Sequence, residues 1–322
     1  MTETAYSKYE AVIGLEVHAQ LSTFSKAFST DPAAFGAKPN TQVNPVSLGH
    51  PGTLPVVNEK LLEYAIRMGL ATQCHIRREN FFARKNYFYA DLPKGYQITQ
   101  DTTPICYGGH ITITLKDGGK KKLRIHHIHM EEDAGKSMHD QDPDSTLVDL
   151  NRAGVPLIEI VSEPDIRSGE EAGLYLAEIR RILRYLEICD GNMEEGSMRC
   201  DANISVRLKG ETKLGTRCEV KNLNSIRNVQ RAIDFETRRQ IDVLESGGTI
   251  GQHTLNFDPD SGQTSPLREK EPANDYRYFP EPDMPPLQLS DAYIEGIRAA
   301  LPLLPEEWER KLVNEYGLPP YD

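Results

Sequence analysis

Polar and apolar residues alternate along several stretches of the chain, and this alternation predicts β-strands with one buried face. In residues 10–21 every odd-numbered position is apolar or Ala, whereas the even-numbered positions include Glu16 and His18. A period of two places successive side chains on opposite faces of a strand. Glu16 and His18 are therefore expected to point together, away from the apolar layer.

The clearest pair of strands lies in residues 197–221. Residues 197–208 and 214–221 both alternate, and residues 209–213 between them form a short turn that contains Gly210. Two alternating runs joined by a short Gly-containing loop predict antiparallel partners. Further strands are predicted at residues 121–133 and 155–161.

Amphipathic helices are predicted between these strands. The residues at which they are expected to begin are Asn58, Ser168, Ser225 and Ser290. Ser168 and Glu171 have the spacing of a capping box. Helices of this kind would cover the apolar face of a mostly antiparallel sheet, whose polar face would stay open. The predicted fold class is therefore α+β.

Carboxylates recur on the polar positions of several predicted strands. This set consists of Glu16, His18, Glu131 or Glu132, Glu159, Asp201 and Glu219, with Arg199, Arg207, Arg217 and Lys221 among them. Carboxylate oxygens suit Mg²⁺, and arginine forks suit phosphate oxygens. The alternative is that these are solvated charges on an exposed sheet face. The recurrence on several strands favours a metal–nucleotide site.

Composition narrows the functional classes. A net charge of −11 is unlike that of a dedicated nucleic-acid domain, although local basic stripes remain compatible with RNA binding. One such stripe is Arg227, Arg231 and Arg238, on one side of the predicted helix over residues 225–246. The five cysteines form no CxxC pair and are expected to be reduced. The polar N-terminal stretch and the lack of a long apolar run predict a cytoplasmic protein without a membrane span.

Two further patterns bear on the chemistry. The run His126, His127 and His129 has no matching ligand set elsewhere in the sequence, so structural or surface roles are expected for it, and His18 is the better candidate ligand. The phosphate-binding P-loop motif GxxxxGK[ST] is absent, so ATP would have to bind to a site of a different architecture.

Long blocks of the sequence resemble one family, the B subunits of aspartyl/glutamyl-tRNA(Asn/Gln) amidotransferases. The blocks are GLEVHAQL at Gly14, ARKNYFYADLPKGYQI at Ala83, HMEEDAGK at His129, DLNRAGVPLIEIVSEPDIRS at Asp149, DGNMEEGSMRCDANISVR at Asp190, GTRCEVKNLNSIRNVQRAI at Gly215 and DYRYFPEPDMPPL at Asp275. The resemblance begins near Tyr9 and follows the same order to the end of the chain.

The resemblance implies a reaction. The family's B subunit uses ATP and Mg²⁺ to phosphorylate the side-chain carboxylate of Glu or Asp already esterified to tRNA(Gln) or tRNA(Asn). Ammonia from the glutaminase A subunit then displaces the phosphate, and a small C subunit clamps the pair. The family's catalytic part is a glutamine-synthetase-like cradle. We expect it to cover residues 1–288, with a helical domain beginning over 289–322 and the tRNA-binding tail domain absent.

The resemblance also implies roles for individual residues. Metal contacts are expected from Glu16, His18, Glu132, Glu159, Asp201 and Glu219, and phosphate contacts from Arg199, Arg207 and Arg217. Lys85 and Tyr87 are expected to line the path on which ammonia arrives, and Glu131, Glu132 and Lys85 to act in catalysis. The alternatives are packing for Tyr87 and a surface position for Lys85. For Arg227 and Arg231 we expect contacts to tRNA.

One departure from the family concerns zinc. Many members carry CPVCLG where this chain has residues 44–49 as NPVSLG, so no structural zinc is expected. Two rival functions stay open, namely a non-catalytic tRNA-docking scaffold and a free-standing ligase for small molecules. The sequence does not decide between Glu-tRNA and Asp-tRNA.

Overall fold

The computed structural model describes residues 6–139, 141–267 and 276–319. Its helices are α1 (Glu59–Ala71), α2 (Gly169–Tyr185), α3 (Ile226–Glu245), α4 (Asp291–Ala300) and α5 (Pro305–Tyr316). Its strands are β1 (Tyr9–Gln20), β2 (His75–Ile76), β3 (Glu79–Asn80), β4 (Ala83–Asn86), β5 (Tyr96–Thr99), β6 (Cys106–Tyr107), β7 (His110–Thr114), β8 (Lys120–Glu132), β9 (Lys136–Met138), β10 (Leu147–Asp149), β11 (Pro156–Ser162), β12 (Met198–Leu208), β13 (Cys218–Leu223), β14 (Thr254–Asp258), β15 (Gln263–Pro266), β16 (Phe279–Pro280) and β17 (Leu287–Gln288).

A ten-stranded sheet forms the centre of the molecule. Its order is β15-β14-β13-β12-β1-β11-β8-β6-β2, and β7 pairs with β8 in addition. Of these pairings β13 with β14 is parallel and the others are antiparallel. Mixed helix and strand content around a large, mostly antiparallel sheet confirms the general α+β prediction.

The first strand alternates as its sequence predicts. Ile13, Leu15, Val17 and Ala19 are fully buried, and the polar residues between them are partly exposed. Complete burial of each large apolar side chain stabilises the fold by about 1.5–3 kcal/mol. This apolar face packs under α1, α2 and α3, so the polar face of β1 is left for other contacts.

The predicted helix starts are confirmed by their caps. The side chains of Asn58, Ser168, Ser225 and Ser290 each accept a hydrogen bond from a backbone N–H of the first turn. The capping box at Ser168 is only half formed. Glu171 accepts from the backbone N–H of Arg167, at 2.8 Å, and also binds Lys121.

Two sequence-based predictions need correction. The second hairpin strand starts at Cys218 and not at residue 214, since the pairing of β12 with β13 ends at Ile204 opposite Cys218. The polar face of the sheet is also not fully open. The small sheet β16-β4-β5 packs over the β8 end of it, where β5 contacts β8.

All five cysteines are free thiols, as expected, and all five are buried. None of the helices in the described ranges combines the length and apolar character that a membrane crossing requires. Helix α4 contributes Ile294 and Ile297 to the same core as the sheet. The domain boundary at residue 289 remains a prediction.

Candidate metal and nucleotide site

The register of three strands assembles the polar face. In the central strand β1, Glu16 lies opposite Asp201 of β12, and His18 lies opposite Glu159 of β11. Directly opposed residues of antiparallel strands project to the same side of the sheet. Residues far apart in sequence thus converge on the face that their alternation predicts.

The first cluster, which we call the carboxylate triad, is Glu16, Asp201 and Glu219. One oxygen from each carboxylate lies within 4.8 Å of the others. The ammonium of Lys221 lies 3.0 Å from Asp201 Oδ2 and 2.8 Å from Glu219 Oε1. Asn203 donates to Glu16 Oε1 at 2.9 Å.

The triad carries more negative charge than its immediate partners neutralise. Burial raises the pKa of Glu16, and the neighbouring charges of Glu159, Glu219 and Asp201 raise it further, although the hydrogen bond from Asn203 opposes them. Like charges that crowd a carboxylate disfavour its ionised form unless a cation joins them. A cation bound here would therefore be strongly favoured.

The second cluster, which we call the histidine–carboxylate cluster, is His18, Glu131 and Glu159. Their ligand atoms also lie within 4.8 Å of one another. His18 Nε2 is 3.1 Å from Glu159 Oε2. The buried His129 adds an imidazole 3.3 Å from Glu131 and 3.6 Å from Glu159.

Charge pairing dominates the protonation of this cluster. Burial alone would lower the pKa of His18, but Glu159 raises it to about 9. Burial alone would raise the pKa of Glu159, but His18 and His129 hold it well below its usual range. Without a metal ion the imidazoles act as the counter-ions of the carboxylates.

The donor chemistry of the two clusters fits divalent cations. The three carboxylates of the triad match the preference of Mg²⁺ for oxygen ligands. The histidine–carboxylate cluster adds one nitrogen donor, which Mn²⁺ and other transition metals accept more readily than Mg²⁺ does. Both clusters are partly buried rather than fully solvated, which disfavours the interpretation as a surface of free charges.

Glu132 does not join either cluster among the described residues, which corrects its sequence-based placement as a metal ligand. It follows Glu131 in β8, so the two side chains project to opposite sides. Its carboxylate contacts the Lys94 ammonium and accepts from the Ile98 backbone N–H at 2.9 Å. Glu131 takes the position that the sequence left open between the two.

The predicted phosphate-binding arginines separate in the structure. Arg199 lies opposite His18 and donates to the buried Asp133 at 2.8 Å, so it stands at the site. Arg207 pairs with Glu10 at 2.8 Å, further along the strand and roughly 20 Å away. Arg217 is exposed and precedes β13. The structure does not bring Arg207 to the clusters, whereas Arg217 lies two residues before Glu219 of the carboxylate triad.

Lys85 of β4 lies near enough to the histidine–carboxylate cluster for the charges of Glu131 and Glu159 to act on it. Burial alone would lower its pKa, but the charge of Glu131 and further groups raise it. Its ammonium lies 4.7 Å from the centre of the Tyr276 ring, and Tyr87 packs edge-on against the same ring at 6.1 Å. Lys85 is thus neither a free surface lysine nor remote from the clusters.

Two residues that the structure places here have no site role in the sequence-based prediction. The sequence predicts a structural or surface role for His129. In the structure His129 is buried, and its imidazole lies beside the carboxylates of Glu131 and Glu159. Tyr276 belongs to a block that contributes only to the family resemblance. The alternation of β8 could have identified His129, because His129 and Glu131 are two residues apart and so project to the same face of the strand. No local pattern links Tyr276 to Lys85.

Arg227 and Arg231 lie away from the clusters on α3, which packs against the apolar side of the sheet. Arg231 donates to the Pro259 carbonyl at 2.7 Å and lies over the Phe257 ring. In the loop where relatives carry cysteines, Ser47 is hydrogen-bonded to Asp31, and Asn44 accepts from the backbone N–H of Ser47. The absence of zinc stays a prediction.

Comparison with known proteins identifies the family of this chain. A family model described as the GatB/GatE catalytic domain matches residues 11–295. The aspartyl/glutamyl-tRNA(Asn/Gln) amidotransferase B subunit of Halorhodospira halophila is 57% identical over 98% of this chain, and that of Paramagnetospirillum magneticum is likewise 57% identical over 98%. The B subunit of the same name in Salinibacter ruber is 54% identical over 99%.

The chain spans 66%, 65% and 64% of the lengths of these three relatives, respectively. The family match nevertheless covers Lys85 and all residues of the carboxylate triad and of the histidine–carboxylate cluster. From the geometry of the polar face and from this match over most of its length, the chain belongs to the GatB/GatE catalytic domain family.

Proposed function

We propose that this chain provides the ATP-dependent half of a tRNA-dependent amidotransferase. The observation that carries the proposal is the pair of adjacent acidic clusters on one sheet face. The relatives are named for amidation of aspartyl- or glutamyl-tRNA, and their names denote one subunit of a larger enzyme. We therefore infer an A subunit that supplies ammonia from glutamine and a C subunit, as well as tRNA(Gln) or tRNA(Asn) as partners.

The reaction consists of two displacements. An oxygen of the Glu or Asp side chain on the tRNA attacks the γ-phosphorus of ATP, and ADP leaves. Ammonia then attacks the carbonyl carbon of the acyl phosphate, and phosphate leaves while the nitrogen loses a proton. Phosphorylation is required because a carboxylate is a poor electrophile, and phosphoryl transfer depends mainly on positioning and charge neutralisation.

The residues of the chain would hold and orient the reactants. Glu16, Asp201 and Glu219 would bind one divalent cation, and His18, Glu131 and Glu159 a second. Bound there, such cations would neutralise phosphate oxygens and the substrate carboxylate. Arg199 stands beside the clusters as the arginine best placed to meet phosphate, because it lies opposite His18, whereas Arg207 is paired with Glu10 further along the strand.

Lys85 and Tyr87 would line the route on which ammonia arrives. Both lie on or beside the small sheet that covers the β8 end of the polar face, and both are affected by the charge of Glu131. A covered route keeps ammonia away from bulk water and its protons. We assign residues 1–288 to this glutamine-synthetase-like cradle, with a helical domain beginning at residue 289, and expect the complex to act in the cytoplasm.

An isosteric variant tests the proposal in the complete amidotransferase complex. Asp201→Asn should leave glutamine hydrolysis unchanged, whereas tRNA-dependent ATP hydrolysis and amide formation should fall by roughly 10²-fold or more. The matched control is Glu245→Gln, which makes the same charge change at the far end of β1, where Glu245 binds Lys8 and Tyr9.

Two outcomes would contradict the proposal. Unchanged amidation by Asp201→Asn would support a scaffold whose acidic face is merely solvated. ATP turnover with free glutamate or aspartate in the absence of tRNA would instead support a small-molecule ligase.

A further inference from the structure

The small sheet over the polar face is held by an ion pair that the proposed reaction does not use. Arg84 donates from Nε and Nη2 to the two carboxylate oxygens of Glu281, both at 2.8 Å. The Glu281 side chain is completely buried, and Arg84 is 18% exposed. A second carboxylate, Asp283, accepts from Arg84 Nη2 at 2.9 Å. We call this arrangement the Arg84–Glu281 fork.

The fork fixes residues 276–283, which we call the 276–283 strap. Phe279 and Pro280 of the strap pair with β4, and the backbone N–H of Glu281 donates to the Phe82 carbonyl at 2.9 Å. At the other end Asn86 donates from its side chain to the carbonyls of residues 276 and 277, at 3.2 and 2.8 Å. The strap is therefore tied to β4 at both ends.

Adjacent residues of β4 connect the fork to the site. Arg84 and Lys85 follow each other in one strand, so they project to opposite faces. On one face Arg84 lies over the Tyr96 ring at 4.1 Å and holds Glu281. On the other face Lys85 lies under Tyr276, whose place the strap determines. A shift of the fork would therefore move the ring over the Lys85 ammonium.

Stability alone does not explain a buried charged fork. A buried ion pair gains little over well-packed apolar residues, because desolvation offsets most of its Coulomb energy. What a bidentate arginine–carboxylate pair adds is a fixed relative geometry. That geometry is useful where a cation must be held in one direction, as for Lys85 beside Glu131.

We propose that Arg84 and Glu281 are a positioning pair, which holds the Tyr276 ring over Lys85 and so keeps Lys85 directed at the histidine–carboxylate cluster. This inference rests on the proposed role of Lys85 in receiving ammonia. Neither Arg84 nor Glu281 touches the reactants. The pair acts through Tyr276, so its loss should impair the transfer of ammonia and leave the separate half-reactions intact.

The test measures the ratio of amide formed to glutamine hydrolysed in the complete amidotransferase complex. Glu281→Gln and Tyr276→Leu should each lower this ratio by about tenfold, the size of a lost partly buried cation–π contact. Glutaminase activity, and amidation with ammonium chloride in place of glutamine, should remain at the level of the unmodified complex. Tyr276→Phe keeps the ring and should keep the ratio.

Glu79→Gln is the matched control. Glu79 of β3 accepts a hydrogen bond from the side chain of Gln288 at 2.9 Å. This contact also ties the chain that follows the strap to a short strand, but to β3 and not to β4, which carries Lys85. Glu79→Gln should leave the ratio unchanged. A merely structural role for the fork would lower ammonium-supported amidation together with the glutamine-dependent reaction, and that result would overturn the inference.

Lys85→Met distinguishes failure of the proposed function from failure of the positioning pair. If Lys85→Met leaves the ratio unchanged, the proposed role of Lys85 fails and the positioning pair fails with it. If Lys85→Met lowers the ratio while Glu281→Gln and Tyr276→Leu do not, the positioning pair alone is refuted. Tyr276→Leu serves as the second variant should Glu281→Gln prevent folding.

Discussion

At the level of single residues, the direction of each side chain decides which carboxylates meet. Glu131 and Glu132 are chemically equivalent neighbours, and the resemblance favoured Glu132 as a ligand. The register of β8 with β11 places His129 opposite Glu159, and Glu131 shares the parity of His129. Parity along the strand could have predicted this from the sequence. The bonds of Glu132 to Lys94 and Ile98 could not, because they cross between separate elements.

A buried carboxylate on the helical side is expected to make stability depend on pH. Glu236 is fully buried and accepts from Arg239, Gln240 and Thr264 at 2.6–2.9 Å. Burial would raise its pKa, but these hydrogen bonds hold it below its usual 4.5. Its contribution to stability is therefore present above pH 4.5 and is lost as the pH falls through the lower pKa of the folded state.

Glu236→Gln should lower the free energy of unfolding at pH 7 by about 2 kcal/mol. The difference from the unmodified protein should shrink as the pH falls below 4.5. Urea unfolding followed by circular dichroism, at pH 7 and at a pH below 4.5, measures the loss of stability and its dependence on pH. Glu295→Gln, whose partner Arg298 is exposed, should change stability by less than about 0.5 kcal/mol. A loss for Glu236→Gln that does not depend on pH would refute the electrostatic explanation.

At the level of secondary structure, long alternating runs and capped helices were predictable. β1, β8, β12 and α3 begin and end within a few residues of the sequence-based expectation, and α2 begins where it was expected to begin. Their signals are local, since a period of two or a capping side chain depends only on neighbouring residues. The small sheet β16-β4-β5 was not predicted. Its strands have two to four residues, and residues 279–280 pair with β4, which lies far earlier in the chain.

The arginine stripe of α3 gives a prediction for RNA binding. Arg231 is engaged with Pro259 and Phe257, so Arg227 is the better candidate for a phosphate contact. In the complete complex Arg227→Glu should weaken tRNA binding and reduce the slope of log K against log salt by about 1. Arg298→Glu on α4 makes the same charge change elsewhere and should not alter the slope. An unchanged slope for Arg227→Glu would assign α3 to another contact.

At the level of the whole molecule, the polar sheet face concentrates part of the acidic charge. Six candidate ligand residues from five strands lie on one sheet face, and Lys221, Lys85 and Arg199 compensate only part of their charge. The sequence predicted which residues lie on this face more reliably than how those residues are arranged on it. Alternation identifies which residues share a face, whereas the order of the strands decides that two clusters form rather than one.

The central claim is that this face binds two divalent cations for the activation of a carboxylate. The most direct measurement is an anomalous difference map from crystals of the complete complex soaked with Mn²⁺ and a non-hydrolysable ATP analogue. Two peaks are predicted, one among Glu16, Asp201 and Glu219 and one among His18, Glu131 and Glu159, each roughly 2.0–2.3 Å from its ligand atoms. A map without peaks at these residues, or with Mn²⁺ bound at Glu132 instead, would contradict the account.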